Sequence, residues 1–349
     1  MKLPGLVLLG TLIVSGQAWA GCLDSARLQG VNASGAEFNS GNVPGVFGKD
    51  YIYPATNELA FISEQKATVI RLPIRWERVQ RDLNGPLDAD EVKRIKSTIQ
   101  DAGSKGLCVM VDIHNYAKHK GTKLSDNTAL QDGFVDLWLR LAAELKDVDT
   151  TAFDLMNEPN NLPIADWAAL AKRTLAELRR ANSKNLVFVA GGRWSGVHDW
   201  FTPQNGVSNA TAFADLKDPL KRTVIEVHQY IDSDYSGTKV DCRPPEKFDA
   251  MFQKITDWAK TNNQQLLLGE FGTPQTADCL ATLDKLLSLM EDPVWRGWTY
   301  WAVGRWWNNY PMALTTKNEG ISPQWAILKK YFYQPGVKKS APKPPTIKR

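Results

Sequence analysis

Two glutamates stand where apolar runs end. Glu158 follows Phe153-Asp154-Leu155-Met156-Asn157, and Glu270 follows Leu266-Leu267-Leu268-Gly269. Two carboxyls that face a common centre, one protonated and one ionised, are what hydrolysis of a glycosidic bond requires. Other polar groups close other apolar runs: Arg71, then Asp112-Ile113-His114-Asn115-Tyr116, then Asn157, then His228-Gln229-Tyr230. One acid of this kind is readily explained as a structural partner of an arginine such as Arg71. Two of them, in this company and at corresponding positions, favour chemistry.

Competing chemistries leave weaker traces. His114 and His228 close apolar runs, whereas His119 and His198 fall in loops. A catalytic metal wants three converging ligands, and the chain has neither H-E-x-x-H nor a cysteine pair at zinc spacing. No metal and no cofactor are expected. A G-x-S-x-G nucleophile elbow is absent, so Ser195 beside His198 carries little weight. The chain has thirteen tryptophans, and Trp76, Trp194, Trp200, Trp301, Trp306 and Trp307 fall at run ends or in the loops after them. Flat aromatic faces can cover the apolar faces of pyranose rings, and core packing is the competing use of the same residues. By strand alternation Trp298 and Tyr300 point one way and Trp301 the other.

These groups need a scaffold that brings run ends together. Apolar, strand-like runs cover 28–32, 69–73, 107–114, 152–157, 186–190, 224–230, 266–270 and 297–301. Helical spacing lies between them, over 89–102, 134–145, 166–181, 245–262 and 277–290, with Asp88 and Asp166 as start signals. Strands alternating with helices imply a parallel sheet, and eight strands are the number that closes a (β/α)8 TIM barrel. The expected fold class is therefore α/β, a single-domain barrel over 21–333. The alternative, an open doubly wound sheet, usually carries a glycine-rich phosphate loop after its first strand. Here that place holds Asn32-Ala33-Ser34-Gly35. Barrel active sites form at the carboxyl rim from several strands, which is where the polar groups cluster.

Composition bounds the rest. The 349 residues are 43% hydrophobic and 23% charged, which are globular values. The net charge of +4 comes from the ends: Lys2, and Lys338, Lys339, Lys343, Lys348 and Arg349. Without them the body is slightly acidic, so no nucleic-acid partner is expected. Residues 1–20 read as a signal peptide, with Lys2, a short apolar stretch and Ala18-Trp19-Ala20 before the cut. No later run is long enough to span a membrane. The protein is expected to be a secreted or periplasmic monomer, with lipid attachment at Cys22 a minor alternative. Residues 334–349, rich in Pro and Lys, read as a disordered tail. Export permits disulfides. Cys242 and Cys279 both follow predicted strands in polar segments, which favours pairing them. Cys22 and Cys108 would form a second pair, unless Cys108 is a buried free thiol.

The motifs, taken in order, resemble glycoside hydrolase family five, and within it the fungal and bacterial endo-β-1,4-glucanases. The resemblance covers about residues 28–332. It rests on Arg71-Leu72-Pro73 with Trp76-Glu77-Arg78, Asp112-Ile113-His114-Asn115-Tyr116, Asn157-Glu158-Pro159, and Glu226-Val227-His228-Gln229-Tyr230 with Asp232-Ser233-Asp234. It continues through Gly269-Glu270-Phe271 and Trp301-Ala302-Val303-Gly304. The resemblance implies a retaining β-glucanase acting on a β-glucan polysaccharide or oligosaccharide. Glu158 matches the acid/base and Glu270 the nucleophile. Arg71 and Tyr230 match groups that hold the nucleophile ionised, and Asn157 matches a contact to the sugar 2-hydroxyl. His114 and His228 match sugar and carboxyl contacts, and Trp301 matches the platform beneath the sugar. Tyr116, Trp194, Trp306 and Trp307 are further candidates for the groove. Two positions depart from the pattern. Asn160 replaces a common histidine, and Gly304-Arg305-Trp306 stands where the family continues with Gly-Pro. Arg305 would either charge the groove, favouring an anionic glucan, or pair with a nearby acid. Mannan, mixed-linkage glucan or an exopolysaccharide are the alternative substrates, and an inactive carbohydrate-binding protein the alternative of another class.

Overall fold

In a computed structural model, residues 21–160, 162–314 and 320–333 are described; the expected signal peptide and tail lie outside them. The barrel strands are β1 Leu28–Ala33, β2 Val69–Ile74, β3 Cys108–Ile113, β6 Thr151–Asp154, β7 Val187–Ala190, β8 Thr223–His228, β9 Leu266–Glu270 and β10 Trp295–Val303. All eight run parallel and close in the order β1-β10-β9-β8-β7-β6-β3-β2. The short strands β4 Lys118–His119 and β5 Thr122–Lys123 form a hairpin after β3. The (β/α)8 barrel expected from the strand count is the fold observed.

Helices fill the connections: α1 Thr56–Glu64, α2 Trp76–Val79, α3 Ala89–Gly103, α4 Thr128–Glu144, α5 Ile164–Arg180, α6 Asn209–Ala212, α7 Asp249–Thr261, α8 Ala277–Ser288 and α9 Gln324–Leu328. Asp88 caps α3, accepting from the Asp90 and Glu91 amides. Elsewhere the expected starts move. Helix α4 begins at Thr128, because Asn127 accepts the Ala129 amide at 2.8 Å and caps it there. Helix α5 begins behind Pro163, which places Asp166 inside the first turn. The helix expected over 245–262 is a 3-10 turn, Pro245–Phe248, followed by α7. The short helices α1, α2, α6 and α9 were not anticipated; the last three span no more than five residues, too few for periodicity to register.

Strand alternation divides the barrel into two environments. Outward side chains such as Val31, Ile70 and Trp298 join the helices in one large apolar core. At the amino end of the strands, Val69, Met110, Phe188, Val224 and Leu267 form a second buried cluster with Cys22 and Cys108. Cys22 and Cys108 form a disulfide across a separation of 86 residues. Cys242 and Cys279 form the other. The apolar plug leaves the carboxyl end of the interior for polar groups.

The Cys22–Cys108 bond ties the chain's first described residues to the plug beneath the site. Replacing both cysteines with alanine is expected to cost about 2–4 kcal/mol. Urea unfolding of the mature protein measures the loss directly, and an unchanged midpoint would contradict it.

Candidate active site

Arg71 lies at the centre of the rim, fully buried on β2. Its five N–H groups all have partners. Nε faces Asp154 Oδ2 at 2.7 Å and Glu226 Oε1 at 3.0 Å. Nη1 donates to Glu270 Oε1 at 2.8 Å and Asn32 Oδ1 at 3.1 Å. Nη2 donates to Asn157 Oδ1 at 2.9 Å and lies 3.2 Å from Asp112 Oδ2. Strand register creates this convergence: Asn32 neighbours Arg71 across β1–β2, and Asp112 neighbours Asp154 across β3–β6.

Four buried carboxyls on one guanidinium cannot all ionise cheaply. Burial drives Asp154 well above the carboxylate range, and it holds its proton against Glu226. Burial raises Glu226 too, but Arg71 and His228 outweigh it and bring it down to about 2. Asp112 is pushed up to about 7, burial outweighing the pull of Arg71. Gly269 makes this packing feasible, since a Cβ there would lie 1.8 Å from Glu226 Oε1.

The two rim histidines take opposite charge states. His228 Nε2 faces Glu226 Oε1 at 3.2 Å, and its Nδ1 faces Glu158 Oε1 at 2.9 Å and Glu270 Oε2 at 3.7 Å. Burial disfavours the charged ring, but Glu270 and Glu226 overcome it and hold His228 protonated. Burial takes His114 down to about 3, so its ring is neutral. Its Nδ1–H donates to Asp112 Oδ2 at 2.7 Å, which leaves Nε2 to accept from the Tyr116 hydroxyl at 3.1 Å and Asn157 Nδ2 at 3.3 Å.

Glu270 Oε2 accepts from the Tyr230 hydroxyl at 3.1 Å, while Oε1 accepts from Arg71. Arg71 was expected to lower this carboxyl. It does pull downward, as does His228, yet burial is the larger influence and the net direction is up. Donors still face both oxygens, so the carboxylate is the form the site accommodates. Glu158 adopts φ 43°, a strained left-handed conformation for a non-glycine residue, at the point where its chain leaves the rim. Asn160 Nδ2 donates to its carbonyl at 3.3 Å. One oxygen each of Glu158 and Glu270 and a nitrogen of His228 lie within 4.8 Å of one another. Such a trio could hold a cation by distance alone. Protonated His228, however, commits both N–H groups to carboxylates and has no lone pair to offer.

Trp301 is stacked on His114, with centroids 5.4 Å apart and planes at 16°. Trp307 meets Trp301 edge-on at 5.9 Å and stacks with Tyr310 at 4.5 Å. Trp306 is half-buried in an adjoining hollow. Trp194 is half exposed, and its amide donates to the Pro159 carbonyl at 3.2 Å, beside the Glu158 loop. Trp76 and Trp200, grouped with the rim aromatics by sequence, belong to the core: Trp76 packs on His119 and Phe134, and Trp200 on Phe213 and Trp258. Arg305 pairs with Glu58 at 2.7 Å, the second of the two fates its sequence position allowed. Sequence reasoning left Asn32, Asp112, Asp154 and Glu226 out of the site. A usable trace existed in Asp112-x-His114 and Glu226-x-His228, because an i, i+2 spacing places both residues on one face of a strand.

Replacing Arg71 with methionine strands several buried carboxylates, and should cost about 3–5 kcal/mol at neutral pH. Glu226, held down to about 2, contributes stability above the unfolded glutamate value of about 4.3 and loses it as pH falls toward 2. The deficit should therefore narrow on acidification, as read from urea unfolding at two pH values. A deficit that is constant with pH would refute this account of the cluster.

The sequence pattern of the cellulase family (glycosyl hydrolase family 5) matches residues 31–308. An endo-β-1,4-glucanase B of Aspergillus niger is 29% identical over 82% of this chain and 84% of its own. The crystal structure of an endo-β-1,4-glucanase from Xanthomonas axonopodis pv. citri is 37% identical with a TM-score of 0.85, covering 88% of this chain and 98% of that one. An endoglucanase Cel5A of Pseudomonas stutzeri, solved with cellobiose, is 28% identical with a TM-score of 0.80, covering 88% and 92%. With four-fifths of its length matched, and Glu158 and Glu270 brought together beside His228 at the rim, the chain belongs to glycosyl hydrolase family 5.

Proposed function

We propose that this protein is a secreted endo-β-1,4-glucanase that hydrolyses internal bonds of β-glucan with retention of configuration. The observation that carries the proposal is the closeness of Glu158 and Glu270, whose nearest oxygens lie within 4.8 Å. Retaining pairs sit about 5–5.5 Å apart, whereas inverting pairs need about 6.5–9.5 Å to admit a water. The glucanases and the cellobiose complex among its relatives support the substrate class. Two disulfides support export to an oxidising compartment, and no helix among the described residues is long and apolar enough to cross a membrane.

In the first step Glu270 attacks the anomeric carbon while Glu158 gives its proton to the departing glycosidic oxygen. A covalent glycosyl ester forms on Glu270 and the reducing-end fragment leaves. In the second step Glu158, now ionised, takes a proton from water as that water attacks the same carbon and frees Glu270. Arg71 and Tyr230 hold Glu270 in place for attack. Asn157, fixed through its Oδ1 by Arg71, turns its Nδ2 toward the sugar side of His114. Trp301 supplies an apolar floor for the ring.

A reducing-end assay on soluble cellulose, mixed-linkage glucan, mannan and xylan tests the substrate. Release from mannan alone would overturn the glucanase reading, and binding without release would favour a carbohydrate-binding protein. Glu270→Gln should abolish turnover while retaining binding.

Tyr230→Phe removes a hydrogen bond that favours ionised Glu270. The carboxyl then rises further, and the acidic limb of kcat/KM should move to higher pH. Gly237 should act through the same ring. A Cβ at Gly237 would lie 2.6 Å from the Tyr230 ring, and its φ is +71°. Asp232 pins this loop, accepting the amides of Gly237, Thr238 and Lys239, each at 3.2 Å. Gly237→Ala should shift the limb in the same direction and add little to Tyr230→Phe. Additive shifts would show that Gly237 acts elsewhere.

A further inference from the structure

Strand β9, which ends in Glu270, runs between β8 and β10, and the loops that follow those two neighbours meet over its end. The loop after β10 brings in Tyr310, whose hydroxyl donates to the Gly237 carbonyl at 3.1 Å in the loop after β8. Met312 fills the space between this bond and β9. Its sulfur lies 3.4 Å from the Tyr310 hydroxyl, and a Cβ at Gly272, two residues beyond Glu270, would stand 3.2 Å from the same sulfur. The bond thus straps one loop to the other across the end of β9.

Both ends of the strap are fixed. Tyr310 stacks on Trp307, which meets Trp301 edge-on. On the other side Asp232, fully buried, holds the amides of the Gly237 loop, and the Cys242–Cys279 disulfide ties the far end of that loop to α8. Tyr230 lies between the two. The Gly237 backbone presses on its ring, so closely that a Cβ would stand 2.6 Å from it. Tyr230, Trp301, Ala302 and Met312 form a small buried cluster of their own, with Trp307 and Tyr310 packed against it. Burial first, and the charge of Glu270 next, raise both the Tyr230 and the Tyr310 hydroxyl, so each remains a donor.

We propose that Tyr310 is a positioning residue for the nucleophile: through the Gly237 backbone it holds the Tyr230 ring where its hydroxyl meets Glu270 Oε2. The inference rests on the reading of Glu270 as nucleophile and adds a residue that donates to the backbone rather than to a carboxyl. A phenol ring can rock about its side-chain bonds, and a hydrogen bond of 3.1 Å weakens steeply once it is misaligned. Glu270 is also faced by Arg71 from β2, His114 from β3, Glu158 from the loop after β6 and His228 from β8. Those groups are held by contacts of their own, so cutting the strap removes only the share of support that Tyr230 gives. Asp232, whose charge also reaches Tyr310, spends its oxygens on the loop amides.

The test is Tyr310→Phe in the mature protein, which keeps the ring on Trp307 and removes the hydroxyl. On soluble cellulose kcat should fall about five- to tenfold, the size of one hydrogen bond, while KM changes little. The acidic limb of kcat/KM should move to higher pH, because Glu270 loses part of a bond that favours its ionised form. In a Tyr230→Phe background the substitution should add nothing. An activated 2-deoxy-2-fluoro-cellobioside, which esterifies the nucleophile without help from a proton donor, should label the variant correspondingly slowly. The final labelled fraction counts folded enzyme, so misfolding cannot pass for slow chemistry. A raised KM with an unmoved limb would show that Tyr310 serves the Trp301 platform instead, and additive losses with Tyr230→Phe would show that it acts apart from that ring. Either result, or labelling at the unaltered rate, would overturn the positioning role and leave the nucleophile reading intact. If the fluoroglycoside labels a residue other than Glu270 in the unaltered protein, or none, the nucleophile reading falls, and the positioning role with it.

Discussion

A fully buried guanidinium organises this active site. Taking Arg71 out of water costs several kcal/mol, and the cost is recovered only if every N–H finds a well-placed acceptor. Here the acceptors come from five strands: Asn32 on β1, Asp112 on β3, Asp154 on β6, Glu226 on β8 and Glu270 on β9, with Asn157 just beyond β6. The requirement runs in both directions. Without the arginine the acids could not share so small a space, and without the acids the arginine could not be buried. A closed barrel satisfies both, because its interior receives one side chain from each strand at every second position.

Proton distribution follows from that arrangement. Asp154 stays neutral and shares its proton with Glu226, which stays charged because Arg71 and His228 both face it. Charged Glu226 in turn helps keep His228 protonated, and His228 reaches Glu158 and Glu270 with its other nitrogen. The charge state at the bottom of the site thereby reaches the two carboxyls at the top through one imidazole. His114, on the other side, has only Asp112 beneath it and remains neutral. Two histidines in similar strand positions thus play different electrical parts: Glu270 and Glu226 outweigh burial at His228, whereas burial, with Arg71 and Arg75, prevails at His114.

Much of this was legible in sequence. Eight apolar runs with helical spacing between them were enough for the barrel, and the polar groups at their ends marked the rim. Less legible was anything that depends on which face a residue takes outside regular structure. Trp76 and Trp200 follow strands, as Trp307 does, yet they turn into the helix layer. Asp154 and Glu226 lie within apolar runs, where a charge reads as an interruption until the opposing arginine is known. Helix starts shifted where a cap such as Asn127 or a proline such as Pro163 outweighed periodicity. Arg305 could be resolved only once α1 was placed, because its partner Glu58 lies 247 residues away in sequence.

The raised carboxyl of Glu270 suits the nucleophile's role proposed for it. A strongly depressed carboxylate would be stabilised by its neighbours so well that it would resist giving up its charge in forming an ester. Burial counteracts that stabilisation, while Arg71 and Tyr230 keep the oxygens oriented for attack. In the proposed cycle, ester formation on Glu270 removes one negative charge from beside His228 and Arg71. Their positive field then acts more fully on Glu158, which His228 already contacts at 2.9 Å. In the proposed second step Glu158 acts as the base toward the attacking water. A single cationic frame, held rigid by buried acids, therefore serves both halves of the proposed cycle, while Glu270 loses its charge as Glu158 gains one.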